Sequence, residues 1–192
     1  MYGELARTAT LDDLTLFLLD EFGGLPDDDP GRCISMLRRD LLSNTEGRPT
    51  VHVPDVDASD PEHAADRYGD LIEDGGLHLA LVGLGKNGHV GMNEPGATAD
   101  LSTRVVSLEP STSANAARYG ASTSPTWGIT VGISELMEAD EVWVLVTGAH
   151  KSEILQRTLE GPIGPAVPAS FLTTHPHCSF FVDESAAVRH RD

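Results

Sequence analysis

A short apolar run followed at once by a glycine-rich loop constrains the fold of this chain more than any other segment. Residues 77–82 (Leu-His-Leu-Ala-Leu-Val) have the length and composition of a buried strand. Residues 83–95 (Gly-Leu-Gly-Lys-Asn-Gly-His-Val-Gly-Met-Asn-Glu-Pro) follow, and their glycines allow tight turns and close approach of the backbone to a ligand. The loop also contains His89, Asn93 and Glu94. An imidazole and a carboxylate on a loop that leaves a strand indicate proton transfer on a small anionic ligand.

Further apolar runs of strand length alternate with segments of helical character. The runs lie at residues 14–19, 127–133, 141–147 and 179–182, and the helical segments at 32–43, 61–74, 111–119 and 150–160. Continuous apolar strands separated by helices predict a three-layer α/β fold, Rossmann-like, with a mostly parallel sheet and helices on both faces. Because the sequence shows no repeat, low-complexity segment or linker, we expect residues 1–192 to form a single domain.

The composition excludes several classes of protein. The net charge is −17, with two lysines against eleven arginines, and a surface of this sign repels nucleic acid phosphates. No apolar run approaches the ~20 residues of a membrane-spanning helix, and the N-terminus lacks the features of a secretory signal. Cys33 and Cys178 lie far apart and indicate neither a disulfide framework nor a metal site. We therefore expect a cytoplasmic protein that binds neither nucleic acid nor membrane.

Three groups of polar residues follow predicted strands. Asp20-Glu21 ends the first apolar run, the 83–95 loop follows the second, and Gly148–Lys151 follows a third. Ligands of such folds bind beyond the carboxyl ends of the strands. The sequence thus predicts that an acid, an imidazole and a cation meet at a site for a sugar phosphate. Position alone leaves simpler roles open, such as Asp20 capping a turn or Lys151 ending a surface helix.

Six blocks of the sequence stand in the order and spacing of one known family. They are Asp20–Leu25, Gly85–Pro95, Thr103-Arg104 with Arg118, Leu136–Val142, Gly148–Lys151, and Ser170–Leu172 with His175-Pro176. In these blocks, from about Tyr2 to Asp183, the chain resembles the glucosamine-6-phosphate deaminase/isomerase family, which is related to 6-phosphogluconolactonase. The ending Met92–Pro95 favours the deaminase. The resemblance implies conversion of glucosamine 6-phosphate to fructose 6-phosphate and ammonia, by ring opening and C2/C1 proton transfer, in a homo-oligomer without metal or redox cofactor.

The resemblance also implies roles for individual catalytic residues. Asp20 matches the base that moves the proton between C2 and C1, and His89 matches the group that opens the sugar ring. Glu94 matches the carboxylate that pairs with the histidine and keeps it cationic. Asn87 stands where one common form of the signature has an aspartate. Because an amide can orient an imidazole but supplies no charge, the relay reduces to His89 and Glu94.

The residues implied to bind substrate are two glycines and two cations. Gly85 and Gly88 belong to the signature loop, and Lys151 and Arg118 match the cations that hold the substrate phosphate. Arg104 falls where some members bind an allosteric amino-sugar phosphate. Val106 stands where a lysine is common in those members, so the sequence argues against regulation of that type.

The family normally carries an additional N-terminal segment with a strand and a Gly/Ser/Thr-rich loop that cradles the substrate phosphate. This chain begins after the position of that loop, so we expect a domain that is N-terminally truncated relative to the family. Two other functions stay open. One is a catalytically silent domain that binds a sugar phosphate or regulates, and the other is a 6-phosphogluconolactonase.

Overall fold

The computed structural model describes residues 11–45 and 47–187 of the chain. These residues contain eight strands and six α-helices, in the order β1 (Thr15–Phe17), β2 (Asp20–Phe22), α1 (Cys33–Asp40), β3 (Thr50–His52), α2 (Pro61–Gly75), β4 (Leu79–Gly83), β5 (Arg104–Ser107), α3 (Pro110–Ala116), β6 (Trp127–Thr130), α4 (Ile133–Met137), β7 (Glu141–Val146), α5 (Ser152–Glu160), β8 (Cys178–Val182) and α6 (Glu184–Ala187). None of these helices is both long enough and apolar enough to span a membrane. Tyr2, where the family resemblance begins, lies outside the described residues.

The chain divides into two compact units. The first contains the described residues up to Tyr68 together with Val105–Ile129, and the second contains Gly69–Arg104 and the described residues from Thr130 onward. β1 pairs with β3 in parallel, β2-β6-β5 form a three-stranded sheet, and β4-β7-β8 form a parallel sheet. Strands that alternate with helices and pair in parallel confirm the predicted α/β fold class. That residues 1–192 form a single domain stays a prediction.

Helix α1 supplies much of the apolar core in the first unit. Its buried residues Ile34 and Leu37, followed by Leu41, recur at helical spacing and pack with Leu11. Arg38 and Arg39 occupy the last turn, where positive charge is favourable for the helix dipole. The sequence pattern of residues 32–43 therefore correctly predicts the position of this helix and its buried face.

In the second unit, β7 is the central strand of the β4-β7-β8 sheet. One face of the sheet carries Ala80, Val82, Val142, Val144 and Val146, all of which are buried. The opposite face carries Leu79, Trp143 and Phe181, which are 42%, 36% and 47% exposed. Gly83 at the end of β4 lies beside Leu145 of β7. Two polar segments, residues 84–95 and 148–151, therefore leave the same edge of one sheet.

The structure corrects the predicted strands at two places. The run at 14–19 is not one strand: β1 ends at Phe17, and Asp20 opens β2 instead of following a strand. The break arises because β1 pairs with β3 while β2 pairs with β6, so the chain passes from one sheet to another. The run at 127–133 ends as a strand at Thr130, because α4 begins at Ile133.

Candidate active site

The glycine-rich loop that follows β4 leaves no room for side chains at two positions. A Cβ atom on Gly85 would lie 2.3 Å from Cδ2 of the His89 ring. The Gly85 N–H also donates a hydrogen bond to the His89 carbonyl oxygen at 2.8 Å. Gly88 has a φ of +89°, and a Cβ there would lie 2.7 Å from Cγ1 of Val167. A side chain at Gly88 is therefore strained by its φ and by its surroundings, whereas the absence of a Cβ at Gly85 lets the imidazole pack directly against the backbone.

His89, Glu94 and Asn87 form a contiguous polar group on this loop. Oε2 of Glu94 lies 3.3 Å from Nδ1 of His89 and accepts a hydrogen bond from Nδ2 of Asn87 at 2.7 Å. The Asn87 Oδ1 atom accepts the His89 backbone N–H at 3.2 Å. The side chains of His89 and Glu94 are only 20% and 11% exposed. The arrangement presents an imidazole backed by a largely buried carboxylate, which suits proton transfer.

Asn93 holds the end of the loop in place from inside the second unit. It is fully buried, and its Nδ2 donates to the carbonyl oxygens of Val90 at 3.0 Å and Val131 at 2.9 Å. Its Oδ1 accepts a hydrogen bond from Nη1 of Arg104 at 2.9 Å. Burial lowers the pKa of Arg104. Arg104, which the resemblance placed at an allosteric position, here supports the signature loop.

Lys151 lies against the same loop. It ends a short 3-10 turn, Ala149–Lys151, and its Nζ donates to the carbonyl oxygen of Leu84 at 2.5 Å. Burial, with a smaller contribution from the positive charge of Lys86, lowers the pKa of Lys151. No ion pair joins Lys151 to a carboxylate within the described part of the chain. The half-buried ammonium group is thus available to an anion.

Asp20 belongs to the first unit, at the start of β2. Its Oδ1 accepts a hydrogen bond from Sγ of Cys33, the first residue of α1, at 3.2 Å. The neighbouring Glu21 is fully buried, and its carboxylate accepts the backbone N–H groups of Phe22, Cys33 and Ile34 at 2.8, 2.8 and 3.0 Å. Burial raises the pKa of Glu21, although these three hydrogen bonds act in the opposite direction. Glu21 therefore binds the N-terminus of α1 to the strand that carries Asp20.

The structure brings together most of the predicted site residues. Gly85, Asn87, Gly88, His89, Glu94 and Lys151 all lie on or against the loop in the second unit. Asp20 and Arg118 belong to the first unit, and Arg118 is exposed in the 3-10 turn Ala117–Tyr119. That these two side chains meet the loop at one site stays a prediction. The sequence pattern assigns no role to Cys33 and no supporting role to Arg104.

Comparisons with known proteins agree with the resemblance seen in the sequence. The model of the family described as glucosamine-6-phosphate isomerases/6-phosphogluconolactonase matches residues 1–180. The glucosamine-6-phosphate deaminase of Rhodopirellula baltica is 42% identical over 177 residues, which cover 90% of this chain and 70% of that protein. The deaminase of Pseudarthrobacter chlorophenolicus is 40% identical over 195 residues, covering 97% of this chain and 75% of its own length.

Comparison with solved structures also finds a glucosamine-6-phosphate deaminase and a 6-phosphogluconolactonase. A monomeric glucosamine-6-phosphate deaminase matches with a TM-score of 0.89 at 31% identity, covering 96% of this chain and 79% of that one. The 6-phosphogluconolactonase of Trypanosoma brucei matches with a TM-score of 0.74 at 22% identity, covering 97% of this chain and 80% of that one, and so shares the fold. Since the family model spans nearly the whole chain, the protein belongs to the glucosamine-6-phosphate isomerase/6-phosphogluconolactonase family.

Proposed function

We propose that this chain is an amino-sugar-phosphate isomerase/deaminase that converts glucosamine 6-phosphate to fructose 6-phosphate and ammonia. The observation that carries the proposal is a loop that holds an imidazole–carboxylate pair, His89 and Glu94, and against which Lys151 lies without a carboxylate partner among the described residues. A proton-transfer group on this loop and a cation packed against it fit a phosphorylated sugar. Several relatives that exceed 30% identity, one of them solved, are named glucosamine-6-phosphate deaminases, which favours this activity over lactone hydrolysis.

We assign ring opening to His89. Opening the pyranose removes a proton from the C1 hydroxyl and adds a proton to the ring oxygen. A single imidazole can accept the proton from the hydroxyl and then donate it to the ring oxygen. Glu94 lies on the Nδ1 side of the ring, at 3.3 Å. A carboxylate at that distance stabilises the imidazolium that forms when the proton is accepted. Asn87, which bonds to Glu94, fixes the carboxylate without adding charge.

We assign the C2/C1 proton transfer to Asp20. In the open-chain sugar, removal of the C2 proton, with protonation of the C1 carbonyl oxygen by solvent, gives an enolamine. Return of the proton at C1 then gives an iminium group at C2. Water then adds to C2, and the C–N bond breaks to release ammonia and leave the ketone. One carboxylate can carry the proton between adjacent carbons, since both lie within reach of the same oxygen.

We assign the substrate phosphate to Lys151, with Arg118 as a second cation. Lys151 is fixed by the Leu84 carbonyl, which orders the ammonium group before the ligand arrives. Its charge is only partly solvated, which strengthens its attraction for a phosphate. Arg118 is exposed and can form a bidentate contact if the phosphate lies within its reach.

Ammonia release from glucosamine 6-phosphate tests the proposal directly. We expect the purified chain to release ammonia, and Asp20→Asn to lower kcat by about 100- to 10,000-fold. Asp28→Asn, at an exposed position, is the matched control and should keep the activity. Binding of the substrate without turnover by the unmodified chain would instead indicate a silent binding domain. Hydrolysis of 6-phosphogluconolactone without ammonia release would indicate a lactonase.

Two further expectations belong to this proposal. We place the enzyme in the cytoplasm, because a charged sugar phosphate does not cross a membrane unaided. We also expect a homo-oligomer, as the family resemblance implies, although the solved deaminase relative is described as monomeric. Sedimentation equilibrium decides the second point, since a solution mass equal to that of one chain, 20.5 kDa, would contradict it.

A further inference from the structure

Cys33 forms hydrogen bonds with both acidic residues of β2. Its Sγ donates to Oδ1 of Asp20 at 3.2 Å, and its backbone N–H donates to Oε1 of Glu21 at 2.8 Å. The two hydrogen bonds fix both the backbone and the side chain of the first residue of α1 relative to the strand. The Asp20 carboxylate is therefore held by a side chain from a neighbouring element, not only by its own strand.

The electrostatic surroundings keep the Cys33 thiol protonated. Burial, followed by the negative charges of Asp20 and Glu21, raises the pKa of Cys33 well above its ordinary value. Two other titratable groups lie near these carboxylates. Nε of Arg32 lies 3.8 Å from Oε2 of Glu21. The pKa of Tyr68 is raised, mainly by burial and to a smaller extent by the charge of Asp20. A protonated thiol is a hydrogen-bond donor and a poor nucleophile. The geometry thus fits a role as donor to Asp20 and argues against redox or nucleophilic chemistry.

We propose that Cys33 is a positioning residue for Asp20, which its thiol holds in the orientation and the ionised form that proton abstraction from C2 requires. This inference rests on the proposed function, in which Asp20 is the base. A hydrogen bond to one carboxylate oxygen restricts rotation of the group, and near-attack geometry depends on that restriction. A donor also favours the charged form of the acceptor. Removal of the donor should therefore affect the chemical step more than substrate binding.

Steady-state kinetics of Cys33→Ala and Cys33→Ser measure this effect. We expect Cys33→Ala to lower kcat about tenfold with KM changed less than about twofold, because a thiol is a weak donor to a charged acceptor. The acidic limb of its pH–rate profile should move to higher pH. Cys33→Ser keeps a donor and should recover most of kcat. Cys178→Ala, at the other half-buried cysteine, is the matched control and should leave all parameters unchanged.

A thiol titration tests the same contact without using activity. In a Cys178→Ala background, Cys33 is the single thiol, and its reaction rate with a disulfide reagent as a function of pH gives the midpoint of its ionisation. Adding Asp20→Asn removes the nearby negative charge, so the midpoint should fall while burial keeps it above the ordinary value for cysteine. An unchanged midpoint would show that the two groups are not in contact and would overturn the inference.

The outcomes separate this inference from the proposed function. A chain that releases no ammonia, or an Asp20→Asn variant as active as the unmodified chain, refutes the proposed function and the role of Cys33 with it. If Asp20→Asn is inactive while Cys33→Ala keeps the original kcat and acidic limb, only the inference about Cys33 fails. Loss of activity in Cys33→Ala that Cys33→Ser restores, together with the shifted thiol midpoint, supports it.

Discussion

Replacement of Gly85 by alanine tests how closely the position of the His89 ring depends on the loop backbone. The new Cβ would lie 2.3 Å from Cδ2 and 2.4 Å from Cγ and Nε2 of His89, whereas ordinary contacts begin at 3.4 Å. The imidazole must therefore move by about 1 Å. Because φ of Gly85 is not in the left-handed region, the backbone itself accepts alanine. The perturbation acts on one ring and leaves the chain path unstrained.

A displacement of about 1 Å at a catalytic group can lower the rate about 100-fold, and it also disturbs the 3.3 Å contact of His89 with Glu94. We therefore expect kcat for ammonia release to fall about 100-fold in Gly85→Ala. The free energy of unfolding should change by less than about 1 kcal/mol, because the partly exposed ring can turn and alanine reduces the entropy of the unfolded chain.

Gly88→Ala is the informative comparison on the same loop. Its φ of +89° and the 2.7 Å approach to Val167 strain any side chain, so we expect a loss of about 1–3 kcal/mol in the free energy of unfolding. Urea unfolding and ammonia release are measured for both variants. If Gly85→Ala keeps kcat within about twofold of the original, or is destabilised as much as Gly88→Ala, the reasoning about the His89 ring is refuted.

Three further variants test the charged groups. A serine hydroxyl and two backbone N–H groups lower the pKa of buried Asp29. In urea unfolding at about pH 6, Asp29→Asn should therefore be less stable than the unmodified chain by about 1–3 kcal/mol, whereas the control Asp28→Asn should not. The difference in free energy of unfolding between Asp29→Asn and the unmodified chain should disappear as the pH falls through the lowered pKa of Asp29. Lys151→Met should raise KM for glucosamine 6-phosphate about 10- to 100-fold with little change in kcat. The reason is that it removes the proposed contact with the phosphate, which is equally strong in the bound substrate and in the transition state. Arg104→Met removes the charged donor to Asn93 and should lower the free energy of unfolding by about 1.5–3 kcal/mol in the same urea assay.

Much of the fold and of the loop could be predicted because the signals are local. An apolar run before spaced glycines marks β4 and its loop, and helical spacing at 32–43 marks α1. The α/β fold class and the family are both confirmed. His89, Glu94 and Asn87 lie within eight residues of one another, so proximity in sequence made their contact in space expected.

The contacts that sequence reasoning missed are those that depend on residues far apart in the chain. Asn93 bonds with Arg104 across eleven positions, and Glu21 binds the start of α1 across twelve and thirteen. The division of the run at 14–19 into two strands follows from the choice of partner strands, which no local pattern reveals. An acidic residue at the end of a strand can cap a helix, form an ion pair or act in catalysis. Only the three backbone N–H groups that donate to Glu21 identify its role as capping.

The negative net charge of the chain adds to the argument, from motif and geometry, that Lys151 binds an anion. In a protein with thirty acidic residues and a net charge of −17, a cation would ordinarily find a carboxylate. Lys151 instead donates to a carbonyl oxygen and lies near the second of the two lysines, and both burial and that neighbour disfavour its charged form. An acidic surface also repels a sugar phosphate at long range. A site that still binds such a ligand needs a positive group without an acidic partner, and the unfavourable environment of Lys151 would be relieved by the phosphate that we propose it binds.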